Sequence, residues 1–231
     1  MVSLGEKVTN KVIDLKFNPE NPVKKIKILT ISDHPLSPSG VGTQTRYFIE
    51  SLLRTGKFQF VSMGGAIKHE DYKPLKTEEW QDDWIIFPVD GYGGPDAVRS
   101  MLRSTKPDIL WFMTDPRFYG WLWQMENEIR SLVPMVYYHV WDNFPYPTFN
   151  KMWYDSTDKV VTISQLTSDI VRTVSPDVEE EYLPHAIPTN IFTKADDITV
   201  QNFRKQQLGL DDEDFLVFGT TEMLVENKVA H

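Results

Sequence analysis

The stretch Ile26-Lys27-Ile28-Leu29-Thr30-Ile31, continuing through Ser32-Asp33-His34 into Ser37-Pro38-Ser39-Gly40-Val41-Gly42-Thr43, decides the fold. Its first six residues form a short β-branched run bounded by turn formers, the pattern of a buried strand. The glycine loop leads into Thr43 to Thr55, which reads as an amphipathic helix. Phe48, Ile49, Leu52 and Leu53 share one of its faces, and Gly56 sits where a helix-ending residue belongs. Strand, glycine turn and helix make the first part of a βαβ unit.

The same alternation continues outward. Phe58 to Met63, Trp84 to Val89, Ile109 to Met113, Met135 to Val140 and Val160 to Ile163 read as strands, with a short one near Tyr182-Leu183. Pro95 to Thr105, Arg117 to Leu132 and Gln165 to Val174 read as helices, the second marked by Phe118, Trp121, Leu122, Met125, Ile129 and Leu132 at spacings of three and four. This spacing predicts an α/β fold: a Rossmann-like, doubly wound, mostly parallel sheet with helices on both faces. The domain is drawn from residue 24 to 192. Residues 1–23 form an N-terminal extension, in which Val12-Ile13-Asp14-Leu15 reads either as an edge strand or as loop before Pro19 and Pro22. Residues 193–231 read as a linker helix, Val200 to Leu208 stopped by Gly209, then the start of a truncated second domain. Phe215 to Phe218 would be that domain's first buried strand.

Composition removes whole classes of chemistry. The 231 residues include no Cys, which rules out disulfides, thiolate catalysis and cysteine-bound metals. With 24 basic and 33 acidic residues the net charge is −9, which argues against broad, salt-driven binding to nucleic acid. No apolar run approaches the ~18 residues of a membrane span, and Met1 to Asn10 lacks the apolar core of a signal peptide. The expectation is a cytoplasmic protein. No His pair has the spacing of a helical zinc site, so no metal is expected. The glycine loop lacks the Gly-Lys-Ser/Thr of a nucleotide-triphosphate loop, and Thr45 occupies the place of the third dinucleotide-binding glycine. A Gly-x-Ser-x-Gly nucleophile turn is absent.

Ligands of open α/β sheets bind beyond the carboxyl ends of the strands. That rim would carry Asp33-His34, Gly64-Gly65, Asp90, Asp115, His139 with Asp142-Asn143, and Ser164. Two readings fit these residues. They cap the following helices, or they face a ligand. Ser39, Gly40, Val41, Gly42 and Thr43 would sit at the positive end of a helix, where an anion is stabilised and a phosphate can approach the main chain closely. His139 is either a satisfied core residue or a group aimed into a cleft. The aromatic loop Phe144-Pro145-Tyr146-Pro147 lies beside that cleft. His34, Asp115, Asp142, Asn143, Tyr146 and Ser164 are the cleft candidates.

Four segments, in this order, resemble the N-terminal domain of GT-B-fold glycosyltransferases, specifically the large family 4 of retaining enzymes. They are Ile28 to Thr45; Pro107-Asp108-Ile109-Leu110-Trp111; the strand with His139 followed by Asp142; and Asp158 to Ser164 leading to Tyr182-Leu183-Pro184-His185-Ala186-Ile187-Pro188-Thr189-Asn190-Ile191-Phe192. Ala186 stands where the family has glycine. The resemblance implies an acceptor-binding half whose nucleotide-sugar donor is held by a second domain. It implies transfer of a hexosyl group to an unknown acceptor without a cofactor or essential metal. Gly40-Val41-Gly42 would lie near the donor diphosphate, and His139 would contact the transferred sugar. The family's donor-domain basic pair and paired glutamates have no counterpart before residue 231, so this chain alone is expected to be inactive. A non-catalytic binding module and a sugar-nucleotide epimerase of similar fold are the alternatives.

Overall fold

The first strand, β1 (Ile26–Asp33), pairs along its length with β2 (Phe58–Gly65) on one side and with β5 (Ile109–Phe112) on the other, both parallel. From that centre the sheet extends both ways. In a computed structural model, which describes residues 24–141, 143–211 and 213–216, the strand order is β3-β4-β2-β1-β5-β6-β7-β8. The remaining strands are β3 (Leu75–Lys76), β4 (Trp84–Pro88), β6 (Met135–His139), β7 (Lys159–Thr162) and β8 (Glu180–Tyr182). Only the short edge strand β3 runs antiparallel. The fold is the expected Rossmann-like α/β arrangement, with the winding direction reversing between β1 and β5.

Residues alternate between two cores, as the two-residue period of a strand requires. Leu29, Ile31, Leu110, Phe112, Met135 and Tyr137 face one side. There α2 (Pro95–Thr105), α3 (Gly120–Gln124), α4 (Glu126–Arg130) and α6 (Gln165–Val174) supply Val98, Leu122, Ile129 and Ile170. Ile28, Phe60, Trp84, Ile86 and Trp111 face the other side, where α1 (Gly40–Leu53) supplies Ile49 and Leu53. The second core contains a polar knot that spans three strands. Ser62 Oγ accepts from Thr30 Oγ1 at 2.7 Å and from Trp84 Nε1 at 3.0 Å, so a fully buried indole N–H is satisfied.

Two aspartates tie the amino ends of the strands. Asp108, just before β5, accepts from the Lys27 amide of β1 at 2.9 Å. Asp158, just before β7, accepts from the Met135 amide of β6 at 2.8 Å. In each case a carboxylate continues the ladder by one bond beyond the last residue pair.

Several sequence expectations need correction. Arg117 to Leu132 is not one helix. Asp115 captures the Arg117 amide in a turn, α3 starts only at Gly120, and Met125 (φ −98, ψ 6) breaks the path before α4. Phe118 and Leu132, expected on the apolar face, are exposed. Leu166, expected inward on α6, is exposed as well. Helix α1 starts at Gly40 rather than Thr43, because Ser39 caps it. A helix absent from the sequence reading, α5 (Lys151–Asp155), precedes β7.

The chain divides into two compact units at Ile187–Pro188, where the sequence reading drew the boundary at 192. In the second unit, α7 (Asp197–Phe203) is capped by Asp196, passes into a π-helical turn at Arg204–Leu208 and stops at Gly209 (φ 65). Phe215 is 90 % exposed and lies outside any strand, so the expected buried strand does not begin there; residues 217 and 218 lie outside the described residues, as does Val12 to Leu15. Among the described residues no helix is long and apolar enough to cross a membrane.

Replacing Ser62 by Ala leaves the Trp84 N–H and the Thr30 hydroxyl unpaired. Urea unfolding of Ser62→Ala should show a loss of about 1–3 kcal/mol; an unchanged midpoint would mean that the knot contributes nothing.

Candidate functional site

The head of α1 lies at the point where the sheet reverses its winding, the usual ligand crevice of such sheets. Ser39 Oγ accepts from the Gly42 amide at 2.9 Å and donates to Asp33 Oδ2 at 2.7 Å. The Thr43 amide bonds the Ser39 carbonyl. No partner among the described residues meets the amides of Gly40 and Val41, the first two of the helix. The glycines differ in what they require. A Cβ on Gly42 would lie 2.5 Å from Ser37 Oγ and 2.6 Å from the His34 carbonyl, so this position is dictated by packing. A Cβ on Gly40 would meet nothing within 4 Å.

His34, at the end of β1, is buried rather than open to a cleft. Its Nδ1 accepts from the Leu36 amide at 3.2 Å, and its ring occupies the space a side chain at Gly64 would need. Burial, with His69 beside it, lowers its pKa. Asp115 follows β5 and is half-buried. Burial opposes its ionisation, but the Arg117 guanidinium forks onto both carboxylate oxygens and holds the pKa below the usual range. Ser164 caps α6, accepting from the Thr167 amide at 3.0 Å. Asn143 is exposed, Tyr146 packs at the margin of the first core, and Asp142 lies outside the described residues.

His139 ends β6 and is 0 % exposed. Of the two readings the sequence left open, a core residue or a group aimed into a cleft, the structure gives a buried ring with no opening to a cleft. Tyr137 and His139 share a strand face, and that face is covered. Around the ring stand Tyr137 (4.6 Å between centroids), Tyr154 from α5 (5.1 Å) and Trp141 (6.2 Å). Nε2 lies 2.8 Å from the Tyr154 hydroxyl, which also accepts from Asn150 Nδ2 at 3.1 Å. Nδ1 is buried and has no partner among the described residues. Burial drives the His139 pKa down to about 3, with the Asp115 charge opposing. Burial pushes the Tyr154 phenol up to about 12 and raises Tyr119 and Tyr137 as well.

Further buried polar atoms without partners collect along this rim: Thr114 Oγ1, Tyr119 OH, Trp141 Nε1 and Asn150 Oδ1. Unpaired buried groups are uncommon in native folds, and each calls for an explanation. The sequence reading missed Asn150, Tyr154 and Tyr119. Asn150 and Tyr154 are four residues apart, one helical turn, which was the available signal.

No protein-family model matches the chain, and no curated protein matches it in sequence. The site therefore has to be read from its own groups. Those groups offer two amides without partners among the described residues at a helix head, a carboxylate held by arginine, and a neutral imidazole packed within an aromatic cluster. Among the described residues no group of three potential metal ligands is gathered. An apolar depression of about 370 Å³, lined by Leu102, Arg103, Lys106, Pro107, Leu132 and Val133, opens at the opposite edge of the sheet and includes none of these residues.

The buried imidazole makes stability depend on pH. The unfolded chain protonates His139 below about pH 6.5, while the folded chain does so only near pH 3, so stability rises with pH across this interval. His34 and His185, both lowered by burial, act in the same direction. The free energy of urea unfolding should fall from pH 6.5 toward 4.5, by at most about 1.4 kcal/mol per pH unit per histidine. His139→Gln should flatten part of the slope, and a profile identical to wild type would contradict the neutral buried ring.

Proposed function

We propose that the chain is the acceptor-side half of a cytoplasmic, retaining GT-B-type glycosyltransferase that moves a hexosyl group from a nucleotide sugar to an acceptor. The resemblance of the four ordered segments motivates the reading. The observation that carries it is Gly40, a residue whose missing side chain serves no packing purpose, at a helix head with two free amides in the crevice of the sheet. A glycine there lets an oxyanion reach the main chain, and the helix dipole favours its charge. In the complete enzyme these amides would help to hold the leaving nucleoside diphosphate, and closure of the second domain would exclude water.

One observation favours a second reading. His139 is sealed from solvent, as in a non-catalytic binding module built on the same scaffold. Transfer assays separate the two. The 231-residue chain alone should transfer no sugar, and the chain joined to any domain encoded downstream should transfer one. Robust transfer by the chain alone would end the half-enzyme reading, and inactivity of the longer protein with every common nucleotide sugar would favour the binding module. Gly40→Val should unfold at the wild-type urea concentration yet bind uridine diphosphate at least tenfold more weakly by calorimetry; undiminished binding would remove the glycine loop from the site.

A further inference from the structure

Three fully buried side chains meet at one phenol oxygen, and the count of protons there decides the state of His139. Asn150, Tyr154 and His139 are each 0 % exposed. Asn150 Nδ2 donates to the Tyr154 oxygen. The phenol has one proton of its own, and with the Asn150 amide in this orientation the acceptor beside it among the described residues is His139 Nε2 at 2.8 Å. If Nε2 carried the imidazole proton, it would donate to the phenol. The Tyr154 O–H would then lack an acceptor, and the Nδ1 lone pair would stay unpaired too. If Tyr154 donates to Nε2, the proton sits on Nδ1; of the ring and the phenol only the Nδ1–H is then unpaired, while Asn150 Oδ1 is unpaired in either case. A buried donor or acceptor left without a partner is destabilising, so the second arrangement, which leaves one fewer, is favoured. Among the described residues, the charged and titratable groups facing the ring are Asp115 from the loop after β5, Tyr137 from β6 and Tyr154 from α5. None of them hydrogen-bonds Nδ1.

We propose that Tyr154, held in place by Asn150, is a positioning residue that fixes His139 as the neutral Nδ1–H tautomer, leaving a single N–H donor directed at the oxygen of a ligand. The imidazole has no free lone pair in this state. It therefore gives a hydrogen bond and does not take a proton. It selects a hydroxyl or carbonyl oxygen, whereas an ammonium in the same place would face another donor with no lone pair between them. To be reached, the ring must lose the cover of Trp141, which stacks against it and leans on Phe149. The identity of the ligand oxygen as a sugar oxygen rests on the function proposed above; the tautomer does not.

Long-range proton–nitrogen correlation spectra of the chain labelled with nitrogen-15 histidine test the assignment, with His139→Gln identifying the resonances. Wild-type His139 should show a protonated Nδ1 and an unprotonated Nε2 from pH 5 to 8. Tyr154→Phe should shift the population toward Nε2–H while the other histidines stay unchanged. A wild-type Nε2–H signal would overturn the assignment and reverse the Asn150 amide. The wild-type tautomer unaltered in a folded Tyr154→Phe would overturn the role of Tyr154, and the wild-type spectrum decides the tautomer even if that variant fails to fold. Failure of uridine diphosphate sugars to perturb any rim resonance would count against the proposed function and leave the tautomer intact, so the two failures are distinguishable.

Discussion

A parallel strand at the centre of a two-faced sheet has nowhere to place a polar side chain except at its ends or in a satisfied pair. β1 is such a strand, bonded to β2 and β5 and covered on both sides. Of its buried polar residues, Thr30 donates to Ser62, whose oxygen also takes the Trp84 N–H, and Ser32 donates to the Asp33 carbonyl. Everything else with chemistry is pushed to the carboxyl end: Asp33 and the head of α1 after β1, Asp115 after β5, His139 closing β6 and Ser164 after β7. The amino end takes the opposite character. There Asp108 and Asp158 hold neighbouring strands together by accepting backbone amides. The amino end of the sheet locks the architecture, and the carboxyl end carries the polar groups of the candidate site.

This division changes the meaning of the segments that resemble a glycosyltransferase. Pro107 to Trp111 and Asp158 to Ser164 each include an aspartate whose bond is to a neighbouring strand. Those segments speak for the scaffold. The glycine loop speaks for the site, and within it only Gly40 does so, since Gly42 is dictated by Ser37 and the His34 carbonyl.

How much was legible in the sequence depended on whether each element carries its own start and stop. Pro95 to Thr105 and Gln165 to Val174 agree with the structure at both ends, because Pro95 opens the first, Lys106 (φ 47) ends it, and Ser164 caps the second. Arg117 to Leu132 had the strongest periodicity and was misread. Periodicity reports which side a residue faces, and α3 and α4 share a side across the break at Met125. The position of His139 at a strand end was readable. Its burial was not, because part of its cover, Tyr154, comes from α5, a five-residue helix too short to leave a periodic signal, and Trp141 folds back from the loop after β6. The partnership of Asn150 with Tyr154 left only its four-residue spacing as a signal, and without a recognised helix that spacing carried no weight.

Thr167 gives this arrangement a mechanical side. Its hydroxyl donates to the Trp141 carbonyl at 2.9 Å and lies 2.8 Å from the Ser164 oxygen that caps α6. The tryptophan over the imidazole is thus tethered through its main chain to the first turn of a helix. The indole can turn about its own side-chain bonds with that tether intact, whereas a displacement of the Trp141 main chain would have to break the bond to the first turn of α6.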